Sequence, residues 1–180
     1  GVSDEWAIDV TGTGVSLNSF ISYMLTEQLL TGRQGVMVDH DGVRPYLTGY
    51  TTENITNWID LDKELKNVIV LKESYRRFNP NDGYDSSYDD RYRELIFDEE
   101  GYTVRVWEEK DQEFKVVQEY KPTFRGEGLD EIPFVSISLG ALNFDPQVPP
   151  LMGLVDMNLS HYRTSADLEH GRHFTALPTP

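Results

Sequence analysis

After the pair Pro149-Pro150 the chain runs to Pro178 without another proline, and its apolar residues fall at helical intervals. At 100° per residue from Leu151, the positions Leu151, Leu154, Val155, Leu159, Tyr162 and Ala166 share a stripe about 140° wide. Asn158 and Glu169 lie inside that stripe, while Met157, His161 and Leu168 gather on a second side. A helix that packs only on its own domain needs one apolar side, and this one has two. The spacing predicts a long helix opened by the prolines and ended at Gly171. On the sharper reading, Met157, Asn158, His161, Leu168 and Glu169 form an interface with another subunit, the polar residues fixing register. The plainer alternative is a helix half-sunk in its own core, with Asn158 and Glu169 bonded locally. Arg163 and Asp167, four apart on the outer side, are expected to form an exposed pair of small worth.

Upstream, residues 1–16 are polar and glycine-bearing and read as a lead-in. Leu17, Phe20, Ile21, Met24, Leu25 and Leu29 then repeat at helical spacing, with Ser16 as N-cap and Gly32 as stop. Residues 35–39 read as a short strand, Asp39-His40-Asp41-Gly42 as a turn, and 44–50 as the returning strand. Thr51 or Thr52 can cap a short helix carrying Ile55, Trp58 and Ile59. The β-branched run 68–71 reads as a central strand, and the turn-rich stretch 79–90 as a long mobile loop. Further strands are expected at 92–98, 102–108 and 114–120, a hairpin at 99–101, and a strand over 132–137 behind the glycine- and acid-rich connector 125–131. This order predicts an α+β fold: a mixed, mostly antiparallel sheet, flanking helices and a long C-terminal helix. The expected organisation is a lead-in at 1–16, one α+β domain at 17–148, and the helix with the start of a further region at 149–180. No polar tail follows that helix, which suggests a piece of a longer chain.

Composition narrows the chemistry. The chain has 180 residues, no cysteine, and 31 acidic against 16 basic side chains, for a net charge of −15. That size supports one domain with a real core, and no disulfide or cysteine–zinc framework is possible. No apolar run is long enough to cross a membrane as a helix, and no basic-apolar leader opens the chain. A surface this acidic repels a polyanion, so sequence-specific DNA reading is not expected; a passage that DNA slides through without sticking is compatible with it. His170 and His173 are three apart, but the expected helix end at Gly171 would misalign them, and His161 adds no ligand spacing, so no metal is expected. The stretch 79–90 lacks the order of a calcium loop. Thr11-Gly12-Thr13-Gly14 lacks the lysine of a phosphate loop, and no Gly-x-Ser-x-Gly elbow exists. Tyr92, Tyr102, Trp107, Phe114 and Tyr120 are read as sheet packing rather than a stacking platform. No cofactor is implied, and nothing points to catalysis.

Two blocks carry a resemblance. The first includes Arg33, Gly35, Asp39, Arg44, Pro45 and Trp58; the second includes Pro150, Asp156, Asn158, His161, Tyr162, Ser165, Asp167, Glu169, His170, Gly171 and His173. Together they resemble a phage and prophage domain family of unassigned function found in portal-like proteins. More broadly, the order of elements is similar to the wing region of tailed-phage portal proteins, a mixed α/β wing leading to a long helix that reaches toward the stem. The resemblance covers most of the chain from about residue 17, and its terminal block is the more specific part. It implies a ring, usually of twelve subunits, at a capsid vertex, through which double-stranded DNA passes non-specifically. Residues 17–30 and 33–145 would be wing and 150–171 the start of the stem; no clip, tunnel loop or crown is identifiable. The implied partners are copies of the chain and capsid, terminase and head–tail connector proteins, and no membrane. The implied place is the virion, with host cytoplasm during assembly. Two rival readings are a monomeric phage or host module presenting its aromatic strands to a protein, and an acid–base hydrolase using strand carboxylates.

Overall fold

The computed structural model describes residues 4–60, 67–79, 82–139 and 144–176. It is a mixed α+β fold of antiparallel sheets with two N-terminal helices and a long C-terminal one. Helix α1 (Asp4–Ile8) is a short turn, and α2 (Leu17–Thr31) is the first full helix. The Ser16 side chain accepts from the Ser19 N–H at its start, and Gly32 ends it in the left-handed region at φ 79°. Both boundaries match the sequence reading.

Strands β1 (Arg33–His40), β2 (Pro45–Thr51) and β10 (Phe134–Ser138) form a three-stranded sheet in the order β10-β1-β2. Strands β3 (Ile55–Asp60), β4 (Asn67–Asn79), β5 (Asp82–Asp98), β6 (Gly101–Lys110) and β7 (Glu113–Tyr120) follow one another across a five-stranded sheet. Two short strands, β8 (Thr123–Phe124) and β9 (Glu127–Gly128), make a separate hairpin. Period-2 alternation in β1 sorts its residues to two sides. Gln34 and Val36 meet α2, while Met37 joins the core with Tyr50, Phe134, Ile69, Leu71, Leu95, Tyr102 and Val104. The layers are therefore α2, the small sheet, then the large sheet. Gly35 is needed here because the Phe134 ring lies on it: an added Cβ would overlap Cζ of that ring.

Four expectations are corrected. Within the expected lead-in 1–16, the described residues 4–16 are more than that: Val10 is fully buried beside Phe20 and Met24, and its carbonyl accepts from the Leu47 N–H at 2.7 Å. The short helix expected after Thr51 is one 3-10 turn, Thr52–Asn54, followed by β3. Ile55, Thr56 and Ile59 are β-branched, and β4 supplies a partner strand to which Thr56 Oγ1 also bonds, at Val70 O. The stretch 82–90 is strand, not loop. Asp89 and Asp90 face cations across the ladder, Lys72 with Asp90 at 2.7 Å and Arg77 with Asp89 at 2.8 Å, and these pairs hold turn-prone residues extended. Residues 80 and 81 lie outside the described residues.

The fourth correction concerns α3 (Met152–Ala176), which runs on through Gly171. Glycine ends a helix where the backbone must turn left-handed, as Gly32 does. Gly171 keeps an ordinary helical backbone and carries only the propensity cost of about 1 kcal/mol relative to alanine.

The β4–β5 ladder is longer than its neighbours. β3 pairs with β4 only from Asn67 to Leu71, and β6 pairs with β5 only from Arg91 to Asp98. Beyond them, residues 72–79 and 82–90 continue as a two-stranded ribbon about 26 Å long.

Candidate functional site: the C-terminal helix and its anchor

Arg33 begins the site. It follows the left-handed Gly32 directly, so the chain turns out of α2 and sends this side chain inward, where Arg33 is 2% exposed. Its Nη1 donates to Phe144 O at 2.6 Å, and its Nη2 donates to Thr52 O at 3.2 Å and Ile55 O at 3.4 Å. The guanidinium lies 4.5 Å from the Trp58 ring centroid, Trp58 stacks on Phe144, and Phe144 stacks on Phe134. Burial lowers the Arg33 pKa and Asp145 opposes that shift; a guanidinium stays charged regardless. One cation thus joins β1, the turn before β3 and the segment that leads to α3. Gly32 makes the same junction from the other side, since a Cβ there would collide with the Gln147 carbonyl oxygen.

From this clamp α3 leaves the body. Its first turn is set by bonds from Met152 N to Pro149 O and from Val155 N to Leu151 O. The helix then runs 25 residues, about 37 Å. Every α3 residue from Met152 to Thr175 is exposed except half-buried Ser165. Met152, Leu154, Val155, Met157, Leu159, Tyr162, Leu168 and Phe174 are all between 46% and 72% exposed. The reading in which one apolar side sinks into the domain's own core is therefore corrected: neither side does. Helices in proteins draw most of their stability from packing, so one with this many apolar side chains uncovered is poised to be covered.

The sequence-selected residues divide cleanly. Arg33, Gly35 and Trp58 belong to the clamp and the core beneath it. Arg44 pairs with Asp9 at 2.6 Å, and the Pro45 carbonyl accepts from Trp6 Nε1. Pro150 precedes α3, while Asp156, Met157, Asn158, His161, Tyr162, Asp167, Leu168, Glu169, His170, Gly171 and His173 are exposed on it, with Ser165 the half-buried exception. Arg163 and Asp167 do not pair; the ion pair on α3 joins Arg172 to Glu169 at 3.2 Å. His170 and His173 do share one helix, and both contact the Phe174 ring. Among the described residues no three His, Asp or Glu converge as metal ligands. The Thr11–Gly14 segment holds an anion of its own, because the Gly12 and Gly14 N–H groups both donate to Asp9 Oδ1 at 2.9 Å.

A second constellation, between the two sheets, was not singled out from sequence beyond Asp39. Arg93 lies on the core face of β5, with Nη1 2.7 Å from Asp39 Oδ2 and Nε 2.8 Å from Glu73 Oε1. Arg91 Nη2 is 2.7 Å from Glu73 Oε2. Tyr50 donates to Glu73 at 2.7 Å and Tyr46 to Asp39 at 3.1 Å. Burial first, then the Asp39 charge and bond, push the Tyr46 phenol up to about 12. Burial and Glu73 push Tyr50 up further. Burial works against the Arg93 charge, but Glu73 and Asp39 outweigh it and raise its pKa. Two carboxylates and two guanidiniums neutralise one another here, which ties the sheets together. The legible signal was period 2: Glu73, Arg91 and Arg93 occupy inward positions in line with Leu71 and Leu95.

The family described as Domain of unknown function (DUF4055) matches residues 150–180, the stretch that holds α3. No curated protein matches the chain.

Proposed function

We propose that this chain is a structural, assembly-forming protein whose body aims α3 at copies of itself, in the manner of the wing and stem start of a tailed-phage portal. The observation that carries the reading is α3 itself: a 25-residue helix, fixed at its base by Arg33 and Gly32, with apolar side chains uncovered all along it. The two-sided pattern gives each copy a surface for each of two neighbours, which suits a ring better than a closed pair. Met157, Asn158, His161, Leu168 and Glu169 would lie on one of those surfaces. Charge supports the same arrangement. Along α3, Asp156, Asp167 and Glu169 nearly balance Arg163 and Arg172, in a chain of net charge −15, so repulsion between copies is weakest there. The acidic remainder suits a wall past which DNA moves without adhering. On this reading the protein acts by assembly and passage, with capsid, terminase and connector proteins as its partners at a virion vertex.

Sedimentation of the chain across a range of concentrations tests the proposal. Association that disappears in the double variant Met157→Glu/Leu168→Glu is the expected result. A monomer at all concentrations, with α3 protected from amide exchange, would overturn it. The rival reading, a monomeric module that presents its strands to a protein, is favoured by the aromatic outer face of the large sheet.

A further inference from the structure

On the side of the large sheet away from the core, Val70, Tyr92, Glu94, Trp107 and Phe114 line a shallow, mostly apolar groove of about 350 Å³. The Tyr92 and Phe114 rings meet edge to face at 5.4 Å, and Trp107 Nε1 donates to Glu94 at 3.0 Å, so the aromatic walls are held in place. The groove opens beside β7, the last strand of its sheet, whose outer backbone has no partner strand among the described residues. Seven of its eight residues are exposed, and it contains no proline. A free edge next to a side-chain groove is the arrangement by which a sheet accepts an added extended strand.

Charge selects the occupant. Between Trp107 and Tyr120 the chain carries Glu108, Glu109, Asp111, Glu113 and Glu119 against Lys110 and Lys115. Lys115 is already engaged with Asp111 and Glu113, and Arg105 answers Glu119 at 2.9 Å. A second copy would set the acidic hairpin of β6 and β7 against another like it, and a nucleic acid would be repelled outright. We propose that β7 and the adjoining groove form a docking site for a basic, extended peptide segment. That segment adds a strand to β7, seats an apolar side chain against Trp107 and Phe114, and places its cations near Glu109 and Glu113. The site is separate from α3 and does not depend on the assembly reading.

The probe is a short, terminally blocked peptide alternating lysine with valine and leucine, compared with its glutamate counterpart and followed by amide hydrogen exchange and Trp fluorescence. The lysine peptide is expected to bind, to slow exchange in β7 specifically, and to weaken as salt rises; the glutamate peptide is expected not to bind. Phe114→Ser should weaken binding about tenfold with the fold retained by circular dichroism, because Phe114 is 53% exposed and lies outside the core. Glu109→Lys/Glu113→Lys should reverse the preference between the two peptides. Equal binding of both peptides, protection away from β7, or dimers joined through β7 would overturn the proposal. Running the same titration on Met157→Glu/Leu168→Glu separates this site from association through α3.

Discussion

The guanidinium of Arg33 and the carbonyl of Phe144 meet at 2.6 Å across 111 positions of chain. This bond, with the two to Thr52 and Ile55, fixes where the C-terminal segment leaves the body.

Arg33→Met should therefore destabilise the protein by about 2–4 kcal/mol, since three carbonyls lose a charged donor in a buried site. Arg33→Lys should recover only part of that, because an ammonium cannot span three carbonyls and lie flat on Trp58. Urea unfolding measures both variants.

Gly35→Ala should cost about 1–3 kcal/mol, as the Phe134 ring must leave its place over the backbone. Adding Phe134→Leu should make the second change less costly than it is alone, a coupling that a double-mutant cycle reads directly.

The inter-sheet cluster should give the fold an alkaline limit. The folded state holds the Tyr46 phenol protonated up to about 12, and burial raises Tyr50 and Tyr102 as well. A pKa raised on folding contributes stability that is fully present below the unfolded value, about 10 for tyrosine. That contribution is lost as pH rises from there through the folded value. Thermal midpoints should fall above pH 10, and Tyr46→Phe should reduce the slope.

Within the same cluster, Arg93→Met should cost about 3–5 kcal/mol by leaving Asp39 and Glu73 short of a partner. Arg93→Met/Glu73→Leu should cost less than the sum of its parts, which chemical denaturation of the four proteins in the cycle would show.

On α3, Met157→Glu and Leu168→Glu should change body stability by no more than about 0.5 kcal/mol, because both side chains are more than half exposed. Unfolding by either substitution would place them in a core.

Legibility followed the range of the forces involved. Ser16, Gly32 and the helical spacing between them act within a few residues, and α2 was readable to its caps. The hairpin at 99–101 and the strands it joins are equally local. The stretch 82–90 was misread because its strand character comes from Lys72 and Arg77, residues on the opposite strand whose register no local pattern announces. β3 was misread for the same reason, its partner lying across residues 61–66. The helix was found, yet its two apolar sides invited a division between self and neighbour that the fold does not make. The clamp and the ion cluster escape a local reading because the first joins residues 111 positions apart and the second residues 54 apart.

The overhang of β4 and β5 sets a gradient along single strands. Near Leu71 the backbone is flanked by strands on both sides, whereas a few residues on, at Ser74, β5 is its one paired strand among the described residues. A single pair of strands is marginal without a third. The outer half should accordingly breathe and reclose many times while its root stays shut, so one continuous ladder contains both a hinge and a foundation.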